Sequence, residues 1–180
     1  MTNKKPLSRG LIVSYFGDGK GKTTAALGVA LRASGHKKKI LIIQFIKGNW
    51  RSGEERGIKP LKEIEMIKTG LGFVGIEGDC KDIALHRKAA AKGLQLAEKA
   101  LLKKYDVIIL DEIFGAVRGG LIKESDIIEL LNKKSENLHL ILTGTPRINS
   151  IIRKSDLVTQ MKKIKHPYDK GQLAIEGIDY

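Results

Sequence analysis

The stretch LIVSYFGDGKGKTTAAL at 11–27 constrains this chain more than any other. A short run rich in Ile, Val and aromatic residues reads as a buried strand, and the residues after Thr24 read as a helix. Between them lie Gly17, Asp18, Gly19, Lys20, Gly21, Lys22, Thr23 and Thr24. Strand, glycine loop and helix in that order make a phosphate cradle: backbone N–H groups turn inward, the helix N-terminus adds its positive dipole, and Lys22 supplies a mobile cation. Thr23 offers the hydroxyl that such loops give to Mg²⁺. These eight residues are therefore expected to hold the phosphates of a nucleotide, most simply ATP. The usual spacing G-x-x-x-x-G-K-[ST] requires a glycine at position 16, where Phe16 stands, so the loop is a variant whose first glycine comes one residue late.

The rest of the chain repeats this grammar. Apolar runs at 11–16, 40–46, 107–110 and 138–142 predict buried parallel strands, with weaker ones at 63–68 and 157–164. Helical patterns lie at 22–34, 82–103 and 125–133, the last with Ser125 as its expected N-cap. The alternation predicts an α/β fold, a mostly parallel sheet with helices on both faces. A length of 180 residues suits one domain, 1–180, with 165–180 as an extension. Two glycine-rich stretches, 47–57 and 69–79, fit no element and are expected to be substrate loops beyond the carboxyl ends of the strands. The run VIILDE at 107–112 sets Asp111 and Glu112 at a strand end, where acidic residues hold Mg²⁺ directly or through water.

The net charge of +13 favours polyanionic partners, but lysines cluster only at 37–39 and 162–165. Aromatic residues make up 5% of the chain and no stacking or groove-reading motif is visible, so nucleic acid is not an expected partner. Cys80 is the single cysteine, which rules out a disulfide within the chain and a cysteine metal cluster, and fits a reducing cytoplasm. No apolar run approaches the length of a membrane span, and that at 11–16 is too short for a signal-peptide core. The histidines at 36, 86, 139 and 166 show no metal-ligand spacing and are expected mostly at the surface. His166 is expected either to order a flap over the site or to belong to a turn with Pro167 and Asp169.

Spacing alone leaves phosphoryl transfer, hydrolysis and attack elsewhere on ATP open. Over nearly its whole length the chain resembles the P-loop ATP:corrinoid adenosyltransferases, through GDGKGKTTAALGVALRASGH at 17–36, QFIKGNWRSGE at 44–54, GFVG at 72–75, ILDEI at 109–113, TGTP at 143–146 and KHPYDKGQLAIEGIDY at 165–180. The resemblance implies a RecA-like fold, a homodimer, and transfer of the 5′-deoxyadenosyl group of ATP to the Co(I) of a corrinoid with release of triphosphate, in adenosylcobalamin synthesis or salvage. It implies Mg²⁺, with Mn²⁺ as the alternative, and a flavoprotein reductant. By the same resemblance Lys20, Lys22 and Glu112 are catalytic, Arg51 joins the loop in binding ATP, Thr23, Asp111 and Glu112 hold the metal, and Trp50, Glu54 and Phe73 meet the corrinoid. The chain departs from the family pattern at Gly75, where better-known members have tryptophan, and at Thr145, where many have arginine; Arg147, two residues on, is expected to cap a surface helix rather than to reach the phosphates in its place. Two alternatives stand beside this reading: a RecA-like P-loop ATPase or kinase in which Glu112 orients water or a hydroxyl, and a nucleotide-dependent module that binds nucleic acid.

Overall fold

Parallel strands covered on both faces need apolar side chains at nearly every position, and the Ile- and Val-rich runs meet that requirement. In a computed structural model, which describes residues 9–48, 52–72, 74 and 81–179, they become β1 (Ile12–Phe16), β2 (Ile40–Gln44), β3 (Ile64–Lys68), β4 (Val107–Asp111), β5 (His139–Gly144) and β6 (Leu157–Gln160). The helices are α1 (Lys22–Gly35), α2 (Gly53–Ile58), α3 (Ile83–Leu101), α4 (Ile113–Arg118), α5 (Glu124–Asn132) and α6 (Asn149–Lys154), followed by a 3₁₀ turn at Pro167–Lys170. The strands form one parallel sheet in the order β3-β2-β4-β5-β1-β6.

Alternation along each strand divides the core in two. Val13, Ile40, Ile42, Val107, Ile109 and Ile141 pack with Ala26 and Ala30 of α1 on one face. Leu41, Ile43, Ile108, Leu110, Leu140 and Leu142 pack on the other with residues of α3, α4, α5 and α6. Small residues one turn apart, Ala26, Ala30 and Ser34, let α1 lie close to the sheet as it crosses from β1 to β2. On α3 the buried stripe is His86, Ala90, Gly93, Ala97 and Ala100. Because every strand runs the same way, the ends of β1, β2, β4 and β5 open on one edge, where α/β sheets bind their ligands.

Several expectations need correcting. Helix α5 starts at Glu124 with Lys123 as its N-cap, so Ser125 lies inside the first turn and its hydroxyl meets Asp126. The stretch 47–57 is not wholly loop: α2 begins at Gly53, and six residues are too few to show a helical period. Strand β6 stops at Gln160, short of 164, because Met161 turns to meet the phosphate loop. His86 is 2% exposed, and His139 is half-buried, its Nδ1 accepting the Leu11 N–H. Among the described residues no helix is long and apolar enough to cross a membrane.

Leu140 is wholly buried in β5, between Ile12 of β1 and Ile108 of β4. Replacing it with alanine removes apolar burial and leaves a cavity that a central strand cannot close, which should cost about 2–5 kcal/mol. A lower denaturant midpoint at unchanged slope would report this; an unaltered midpoint would mean that the packing at Leu140 is not as tight as described.

Candidate phosphate-binding site

The phosphate loop divides into two halves with different tasks. In the first, the Gly17 N–H donates to the Thr145 carbonyl (3.1 Å) and the Gly19 N–H to the Met161 carbonyl (2.8 Å), while the Met161 N–H donates back to the Phe16 carbonyl (2.7 Å). Gly17 has φ +122°, and a Cβ there would collide with the Met161 carbonyl; one at Gly19 would meet the backbone of Met161 and Lys162. The Lys163 N–H donates to Asp18 (3.1 Å), and that hydrogen bond holds the exposed Asp18 carboxyl below its ordinary range. Gly17 therefore ties the loop to Thr145, and Asp18 and Gly19 tie it to 161–163.

The second half is free to bind. Gly21, with φ +105°, turns the chain into α1 without any side-chain cap. Lys22, Thr23 and Thr24 open the helix, so their N–H groups have no carbonyl one turn earlier and the dipole's positive end lies among them. Lys22 is 9% exposed and its Nζ donates to the Gly19 carbonyl (2.8 Å), at the mouth of the loop. Lys20 pairs with Asp179.

Beside the loop, Asp111 is almost wholly buried. Its Oδ1 accepts from Thr23 Oγ1 (2.8 Å) and Thr143 Oγ1 (2.7 Å), and its Oδ2 from Gln44 Nε2 (3.0 Å). Glu112 has φ +60° and its N–H donates to Thr143 Oγ1 (2.9 Å). Burial, reinforced by the neighbouring Asp111 charge, raises the Glu112 pKa, and Lys22 and Lys47 pull it back only in part. Lys47 pairs with Glu54 at 3.0 Å. Trp50, Arg51 and Phe73 lie outside the described residues. Arg147 is exposed, as expected, and His166 caps the 3₁₀ turn by accepting the Tyr168 N–H.

The structure thus brings Gly17 to Thr24, Asp111 and Glu112 together and adds Gln44, Thr143, Met161 and Asp179, which sequence reasoning did not single out. Thr143 and Gln44 did carry a signal, each being a polar residue at the carboxyl end of a strand that is otherwise mostly apolar and buried. Asp179 lies in the 165–180 motif, which gave no sign of its partner, and Met161 arrives by tertiary folding and carries none. The donor set suits a hard divalent cation: a threonine hydroxyl and two carboxylates, with Gln44 Oε1 buried and unpartnered among the described residues as an acceptor for a water of its hydration shell. The lysine clusters are partly answered by carboxylates, Lys37 by Glu63, Lys38 by Asp106 and Lys163 by Asp169.

A glycine loop between a parallel strand and a helix, with lysine and threonine at the helix start and a strand-end carboxylate beside them, defines a P-loop nucleotide-binding α/β protein. Within that class the chain belongs to the family of ATP:corrinoid adenosyltransferases BtuR/CobO/CobP, which matches residues 8–180. It is 35% identical to the corrinoid adenosyltransferase of Escherichia coli K12, over 96% of this chain and 86% of that one. It is 34% identical to the corrinoid adenosyltransferase CobA of Salmonella typhimurium LT2, with the same coverage. In fold it is similar to the flagellar accessory protein FlaH of Methanocaldococcus jannaschii, at a TM-score of 0.55 and 12% identity, covering 84% of this chain and 70% of that one, consistent with a RecA-like arrangement.

Because the Glu112 carboxyl is raised above its usual 4.5 in the folded protein, the folded state holds more protons than the unfolded one just above that value. This contribution to stability falls as pH rises through the window and stays low above it. In metal-free buffer, Glu112→Gln should therefore melt higher than the wild type at neutral pH, with the gap closing on acidification. Melting curves from about pH 4 to about pH 8 test this; a gap constant across that range would remove Glu112 as the titrating group.

Proposed function

We propose that the protein transfers the 5′-deoxyadenosyl group of ATP to the Co(I) of a corrinoid and releases triphosphate. The observation that carries this reading is the family match over residues 8–180 on a loop whose N–H groups of Lys22 to Thr24 have no carbonyl one turn earlier, with the Lys22 ammonium near Glu112 and the Thr23–Asp111 pair beside it. In the proposed reaction the Co(I) electron pair attacks C5′, a cobalt–carbon bond forms, and the C5′–oxygen bond breaks with its electrons leaving on the triphosphate. Charge therefore grows on the ester oxygen of the leaving group, where the helix N-terminus, Lys22 and Lys20 are suited to stabilise it. Thr23, Asp111 and Glu112 would hold Mg²⁺, or Mn²⁺ in its place, whose charge further neutralises the phosphate oxygens. Asp111 accepts three protein hydrogen bonds, so it would hold the metal through a water and through the Thr23 hydroxyl it fixes, and Glu112 is the carboxylate with the freer oxygens.

Arg51 as an ATP contact, and Trp50, Glu54 and Phe73 as corrinoid contacts, belong to the same proposal on the strength of the family motifs. Glu54 already has its charge answered by Lys47, which suits a residue that shapes a loop beside the substrate. A homodimer and a flavoprotein electron donor complete the reading.

Mixing the protein with chemically generated cob(I)alamin and Mg-ATP should yield light-sensitive adenosylcobalamin and triphosphate; ADP without any corrinoid product would replace this reading with an ATPase or kinase. Lys22→Ala should lower kcat/KM by about 30- to 1,000-fold, or about 2–4 kcal/mol of transition-state stabilisation. Unchanged kcat/KM in that assay would take the role away from Lys22.

A further inference from the structure

After β6 the chain turns at Met161 and returns to the phosphate loop, and polar contacts hold it there. Ile164, Leu173 and Ile178 in this segment are 85%, 77% and 80% exposed, so apolar burial of these side chains is not what fixes it. The contacts are the Gly19 N–H on Met161, the Lys163 N–H on Asp18, and the ion pair between Asp179 and Lys20. Asp179 is itself held by its own turn: Oδ2 accepts the Ile175 N–H (2.7 Å), its N–H donates to the Ile175 carbonyl (2.8 Å), and its side chain is 15% exposed. A carboxylate fixed by backbone groups thus occupies one of the loop's two lysines, while the other, Lys22, among the described residues bonds only a carbonyl oxygen.

We propose that Asp179 is a built-in counter-ion that competes with triphosphate for Lys20 and so weakens the loop's hold on its product. This rests on the reading of the loop as a triphosphate site. A site that stabilises charge on the leaving triphosphate also tends to retain it, because the free product carries at least the charge the transition state was developing. Asp179 offsets that tendency, since Lys20 has an anion waiting when the triphosphate departs. Phosphate capture then exchanges one anion for another at Lys20, and Lys22 and the helix N-terminus supply the uncontested attraction.

The test is calorimetric binding of inorganic tripolyphosphate with Mg²⁺ to the wild type, Asp179→Asn, Lys20→Gln and the double variant. Asparagine keeps an oxygen for the Ile175 N–H, so the turn survives the change; circular dichroism checks it. Asp179→Asn should bind tripolyphosphate about two- to five-fold more tightly, the range expected for an ion pair whose lysine is half-exposed and screened by solvent. The gain should shrink at high salt and vanish when Lys20 is already glutamine. In turnover the same variant should be inhibited more strongly by added tripolyphosphate. Weaker or equal binding by Asp179→Asn, or a gain that persists without Lys20, overturns the counter-ion role while leaving the loop's function intact. No binding by any of the four proteins overturns the triphosphate site and this inference with it.

Discussion

The Asp111 carboxylate is 1% exposed, and an ion so far from water is tolerable only if protein donors replace its hydration. Thr23 from the start of α1, Gln44 from the end of β2 and Thr143 from β5 do so. One side chain therefore joins the helix that follows β1 to the carboxyl ends of three neighbouring strands. It fixes the phosphate loop from behind, because Thr23 lies in the first helical turn. It also fixes Glu112, whose N–H rests on the same Thr143 hydroxyl in a left-handed conformation that a non-glycine residue seldom adopts unless its surroundings hold it there. Removing the carboxylate would leave two buried donors, Gln44 and Thr143, without this acceptor, each a loss of about 1–3 kcal/mol, and would release the half-buried Thr23 hydroxyl.

The late first glycine has a structural reason. Phe16 occupies the position of the usual glycine as the last residue of β1, buried in the core, with its carbonyl taken by Met161. The strand runs one residue further and the loop is correspondingly shorter. Gly17 and Gly19 then press against the backbone of 161 and 162 rather than arching freely around a ligand. With the first half of the loop bonded to protein, the proposed phosphate site draws its donors from the helix end.

How much of this could be read in advance depended on whether the signal was local. The four strong strands were legible because a doubly covered parallel strand must be an apolar run. β6 was read too long because an exposed edge strand has no such requirement, and a chain that turns after Gln160 looks the same on paper. The six-residue helices α2, α4 and α6 hold too little sequence to show a period. His86 is different: it falls in register with Ala90, Gly93, Ala97 and Ala100 at alternating steps of four and three, so the stripe that buries α3 did announce it. The loop, Asp111 and Glu112 were legible as motifs because each borders a recognisable strand. Lys20's partner was not, since no pattern within a window of sequence links position 20 to position 179.

The charge of the chain says less about the site than its sum of +13 suggests. At the candidate site Lys20 is met by Asp179 and Lys47 by Glu54, while Lys22 lies within the field of a Glu112 carboxyl that burial and Asp111 push toward its neutral form. Most of the positive excess therefore lies elsewhere, on exposed side chains that salt screens readily. In the proposed site a polyanion would be attracted at short range by the N–H groups that open α1, the helix dipole and the Lys22 ammonium, whose 9% exposure limits that screening. With Lys20 and Lys47 paired, the proposed site would depend on Lys22 and on how firmly Asp111 and Thr143 hold the backbone behind it.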